Sequence, residues 1–122
     1  MSDIPESFLY YLAAWNEADT TRIRAHLDRA VAADVLFVDP ANTSRGPDEL
    51  EAMIVSARKE RPTAEYLRTS GVDGYNRRYR YEWEVRIDGK VVMPGMDVTT
   101  VDADGRIVQI DGFFGVLPPL EA

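Results

Sequence analysis

Apolar positions recur at helical spacing from residue 4 to about 32, and alternate as in strands over much of the chain beyond residue 64. Phe8, Tyr11, Leu12 and Trp15 lie three or four apart and share one face of a predicted first helix. Pro5 suits its first turn, and Glu6 favours the positive end of the helix dipole. Residues 16–19 break the pattern. Asp19 or Thr20 then caps a second helix with the stripe Ile23, Leu27, Ala30 and Val31. The apolar run 35–38 predicts a buried strand, which Asp39-Pro40 ends because proline has no N–H to donate. After a loop over 41–46, Pro47-Asp48-Glu49 opens a third helix to about residue 60, with Leu50, Ile54 and Ala57 inward.

The second half predicts four strands, near 64–72, 76–87, 90–102 and 106–116, joined at Asp73-Gly74, Asp88-Gly89 and Asp104-Gly105. Asp-Gly suits two-residue hairpin turns, whose central residues can both need positive φ. In the second strand Tyr79, Tyr81, Trp83, Val85 and Ile87 occupy one face, and Arg78, Arg80, Glu82, Glu84 and Arg86 the other. The expected fold is one α+β domain over 1–122, with three helices in the N-terminal half covering one face of a curved, mainly antiparallel β-sheet.

Composition narrows the function classes. The 122 residues include 14 Lys and Arg against 21 Asp and Glu, a net charge of −7, which disfavours nucleic acid and anionic membranes as partners. The absence of cysteine excludes disulfides, thiolate nucleophiles and Cys-ligated metal centres. With a single histidine, His26, the expectation is no metal and no cofactor. Neither a long apolar run nor a basic-then-apolar leader is seen, so a soluble, cytoplasmic protein is expected.

Strand parity singles out ionisable groups on apolar faces. Asp97 shares its face with Gly95, Thr99 and Val101, where desolvation should raise its pKa. Asp39 shares a face with Val35 and Phe37 at the open end of its strand, and Tyr11 lies on the apolar face of the first helix. A protonated carboxyl, a free carboxylate and a phenol donor would make an acid/base constellation. Each has a plainer reading: Asp39-Pro40 as a strand-to-turn transition, Asp97 beside a bulge at Pro94-Gly95 that flips its parity, and Tyr11 as ordinary helix packing. His26 reads as a solvated helix residue. Arg78 and Arg80 point to the outer face.

Val38-Asp39-Pro40, the run from Gly46 to Leu50, the run from Met96 to Ile107 and the closing Phe113-Phe114-Gly115 carry a resemblance to the NTF2-like superfamily. Its nearest groups are the SnoaL-like proteins and the ketosteroid isomerases. The resemblance implies a conical pocket between the helices and the concave face of the sheet, and a homodimer. It also implies Asp39 as base, with Tyr11 (upstream of Asp19) and protonated Asp97 as oxyanion donors. The segment between Asp19 and Asp39 is longer here, and Tyr81 and Trp83 would narrow the pocket towards a smaller ligand than a steroid. Two readings result. In the first, an isomerase or cyclase binds a small apolar carbonyl compound among Trp15, Phe37, Tyr81, Trp83, Ile110 and Phe114, with Gly112 leaving room. In the second, the domain is a non-catalytic ligand-binding or assembly module, dimeric through its outer sheet face.

Overall fold

Helix α1 (Ser7–Asn16) buries Phe8 and Tyr11 of the predicted face together with Ser7 and Ala14, while Leu12 and Trp15 are half-buried. The structure is a computed structural model and describes residues 4–121; residues 1–3 and 122 of the expected 1–122 span lie outside the described residues. Asp19 supplies the next cap: its Oδ1 accepts from the Thr21 N–H at 3.0 Å and the Thr21 hydroxyl at 2.6 Å. The 3₁₀ turn Thr20–Arg22 leads into α2 (Ile23–Ala30), shorter than expected, because Val31 already belongs to β1 (Val31–Val38). That strand is irregular between Val31 and Leu36, and the interruption hides its first half from an alternation pattern.

Two further segments differ from expectation. Residues 43–45 form a short strand, β2 (Thr43–Arg45), antiparallel to β1 before α3 (Gly46–Glu60). Asp73-Gly74 makes no turn. It lies in β4 (Asp73–Tyr75), and the chain reverses at Asn76 and Arg77, with φ of 49° and 65°. Gly74 instead permits close approach, since a Cβ there would stand 2.4 Å from the Tyr79 ring. Asp88 and Gly89 do turn with positive φ, at 52° and 76°, while in the hairpin near 102–106 Gly105 carries the positive φ of 81°.

The remaining strands are β3 (Glu65–Arg68), β5 (Arg78–Ile87), β6 (Lys90–Val101) and β7 (Ile107–Phe114). The seven-stranded sheet runs β2-β1-β7-β6-β5-β3, with β4 also on β5. Among the described residues only β1 and β7 pair in parallel; the other pairings are antiparallel, so the arrangement is the expected mainly antiparallel α+β one. Ile23 and Leu27 of α2, Leu50 and Ile54 of α3, and Ile107 and Ile110 of β7 are fully buried in the core between helices and sheet. No helix among the described residues is long and apolar enough to cross a membrane.

Candidate active site

Sheet register builds the site in three inward-facing rows. The innermost aligns Tyr79, Thr99, Ile110 and Phe37 across β5, β6, β7 and β1. One pleat outward, Tyr81, Asp97 and Gly112 align. Asp39, just past the end of β1, comes against Gly112: a Cβ on that glycine would lie 3.2 Å from both the Asp39 Cβ and the Asp97 Oδ1. The outer row holds Arg68, Trp83, Gly95 and Phe114. The only irregularity in the β5–β6 pairing lies between Val85 and Arg86, beyond Gly95 from Asp97, so the buried alternation Gly95, Asp97, Thr99, Val101 is intact.

These rows form one wall of a cavity of about 770 Å³, closed on the other side by α1 and the end of α3. Asp39, Asp97 and Tyr11 all line it, as do Trp15, Phe37, Tyr81, Trp83, Gly112 and Phe114. Ile110 does not. It is fully buried in the innermost row, where the core closes over the strand before the cavity begins, and this corrects its expected place in the lining.

Asp97 is buried, and its carboxyl is held at both oxygens: Trp83 Nε1 donates to Oδ1 at 2.9 Å and the Tyr81 hydroxyl to Oδ2 at 3.2 Å. Burial pushes its pKa up to about 6; the two hydrogen bonds oppose the rise, and the charges of Asp39 and Asp111 add to it. An indole can only donate, so Oδ1 always accepts and a proton on this carboxyl must sit on Oδ2. Trp83 can reach Oδ1 only because position 95 is glycine: a Cβ there would stand 2.2 Å from its ring.

Asp39 is half-buried, and its hydrogen bonds all fall on Oδ1, from the Ala41 and Asn42 N–H groups at 2.9 and 2.7 Å and the Asn42 amide at 3.4 Å. The Asp-Pro sequence thus does form a turn, as its plainer reading had it, and the same turn fixes the carboxylate at the cavity wall. Tyr11 is 5% exposed, and its hydroxyl donates to no protein acceptor among the described residues. Burial, then the charge of Asp97, holds that hydroxyl well above the ordinary phenol range, so it stays a neutral donor.

Several cavity residues escaped the sequence reading, Tyr66, Arg68 and Arg61 among them. Arg68 and Tyr66 pair with Trp83 and Val85 and share their face, a parity already legible in the run 65–68. His26 has a partner after all, with its Nε2 2.8 Å from Glu17 Oε1.

Residues 8–110 match the SnoaL-like domain family. A solved structure from Agrobacterium tumefaciens, described as a candidate isomerase of the SnoaL-like family, is 32% identical with a TM-score of 0.87, covering 95% of this chain and 100% of that one. A protein of unknown function with a cystatin-like fold from Methylobium petroleophilum is 17% identical with a TM-score of 0.74, over 95% of this chain and 78% of that one. A candidate polyketide cyclase from Sinorhizobium meliloti is 24% identical with a TM-score of 0.64, over 90% and 95% of the two chains. The last two bear on the fold alone, the cystatin-like form of the α+β arrangement described above. No curated protein matches the chain.

Proposed function

The chain belongs to the SnoaL-like family, and from that premise we propose that its cavity binds a small, largely apolar carbonyl compound and moves a proton at the carbon next to the carbonyl. The observation that carries this reading is the convergence of Asp39, Asp97 and Tyr11 on one cavity whose other walls are largely aromatic and aliphatic. Asp39 takes the proton on Oδ2, the oxygen its own turn leaves free. Tyr11 and the protonated Oδ2 of Asp97 donate hydrogen bonds to the developing enolate oxygen. The enolate then either regains a proton at another carbon, which moves a double bond, or attacks a second carbonyl of the same molecule, which closes a ring. The candidate isomerase among its structural relatives fits the first of these outcomes.

The test is proton exchange on a panel of cyclic enones, followed by NMR in deuterated water. Asp39→Asn should slow exchange by about 10²-fold or more, the usual range for general-base loss. Equal rates in the two proteins would sink the assignment.

A second reading, a non-catalytic ligand-binding module, draws on the fact that both Asp97 oxygens already have protein donors. It predicts ligand affinity without exchange in either protein. On either reading we propose a homodimer through the outer sheet face, where Phe113 is 58% exposed and lies opposite Met96.

A further inference from the structure

The outer row of the cavity wall ends in a charge that the proton-transfer scheme leaves unused. Arg68 closes β3 opposite Trp83, one pleat outward from the row that holds Tyr81, Asp97 and Gly112. Arg68 is exposed and is among the residues lining the cavity, and its side chain forms neither an ion pair nor a hydrogen bond among the described residues. Arg61, at the end of α3, lines the same space, and its guanidinium is likewise without an ion pair there. Of the acidic side chains nearby, Glu84 is taken by Arg86 Nε, while Glu60 adjoins Arg61 on the exposed end of α3. Arg68 therefore has no anion of its own. Its charge reaches inward as well, opposing the rise that burial imposes on the Tyr81 hydroxyl.

Around the outer end of the cavity Arg61 and Arg68 stand with Glu60 and Glu84, and because Glu84 is taken by Arg86, a guanidinium is left for an anion there. The middle row carries Asp39, the base of that scheme, whose carboxylate would repel an anionic group on a ligand. The outer row offers a guanidinium, whose planar fork matches a carboxylate with two parallel hydrogen bonds. Neighbouring rows on one face are two residues apart, about 7 Å along a strand, close to the width of one six-membered ring.

We propose that the ligand is an oxo acid: a carbonyl compound whose carboxylate sits on Arg68, with Arg61 nearby, and whose carbonyl points inward to Tyr11 and Asp97. This rests on the proton-transfer reading for which end reacts, and adds the substrate's charge and its direction of entry. Arg68 is then a specificity residue, since it selects and orients the ligand without touching the reacting carbon.

The probes are 4-acetylbenzoate and its methyl ester, which replaces the negative charge across one ring from the ketone by a neutral group one methyl larger. Binding is followed through the indole N–H signals of Trp15 and Trp83, both of which line the cavity. The acid should bind about tenfold more tightly than the ester, the usual worth of a charge-assisted pair at a partly exposed site. Arg68→Gln should bring the acid to the ester's affinity and leave the ester's unchanged, while Arg68→Lys should keep part of the preference. Without any variant, the preference should shrink as salt is raised from ~50 to ~500 mM. Equal binding of acid and ester, binding of neither, or a preference that survives Arg68→Gln would overturn the proposal. Its failure is distinguishable from that of the proton-transfer reading. An acid preference with exchange unaffected by Asp39→Asn removes only the chemistry, and Asp39-dependent exchange without a charge preference removes only the carboxylate.

Discussion

Asp97 shows how a single position couples stability to chemistry. With a folded-state pKa raised from 3.8 to about 6, the folded chain holds a proton that the unfolded chain has released. Stability from this group is therefore fully present below pH ~4 and is lost as pH rises through ~6, by roughly 2–3 kcal/mol. Asparagine can keep both contacts, accepting from Trp83 and donating to the Tyr81 hydroxyl. Asp97→Asn should thus unfold at a higher temperature than the native chain at pH 8 and at nearly the same temperature at pH 4, read by circular dichroism. A difference that does not vary with pH would contradict the raised pKa. The catalytic sign runs the same way: if protonated Asp97 is the donor, kcat/KM for exchange should fall as pH rises through about 6. Parity alone placed Asp97 on the buried face, because alternation along a strand is local. Its two donors were not legible, since Trp83 reaches Oδ1 only through the space that Gly95 leaves on the neighbouring strand.

Among the elements, β3 shows why four residues can hold their place at the edge of a sheet. Asn16, the last residue of α1, donates its amide to the Tyr66 carbonyl at 2.8 Å and accepts from the Tyr66 N–H at 2.8 Å. A side-chain amide here imitates a neighbouring strand and blunts the edge. It also ties α1 to the strand that carries Tyr66 and Arg68, so the two sides of the cavity are held by one residue. Asn16→Ala should cost about 1–3 kcal/mol in a denaturant titration, because both Tyr66 backbone groups lose their partner. Hydrogen exchange at the Tyr66 amide should speed up more than at the β5 and β6 amides. The sequence reading took Asn16 only as the place where the helix breaks, since its partner lies 50 positions away. The same limit explains Asp73-Gly74. The dipeptide suits a turn, but the Tyr79 ring needed the glycine's missing Cβ, and the reversal passed to Asn76 and Arg77.

For the whole molecule, the net charge of −7 is spread unevenly: the outer face of β5 carries Arg78, Arg80 and Glu82, while Phe113 and Met96 leave an apolar area on β6 and β7. An exposed apolar area on an otherwise polar sheet suits a second copy. Sedimentation velocity should give about twice the 13.7 kDa chain mass, and Phe113→Asp should return the single-chain value. A native chain that sediments at 13.7 kDa at micromolar concentration would contradict the dimer. By itself the sequence determined the order of most elements, the buried faces of α1, β5 and β6, and the family. These follow from spacing, capping and turn chemistry, which act over a few residues at a time. Only the tertiary structure decided that Asp39, Asp97 and Tyr11 share one cavity, that Ile110 lies beneath it, and that Arg68 stands one row outward. Those relations depend on register between strands distant in sequence, and register is fixed by which apolar faces the folded core can close over together.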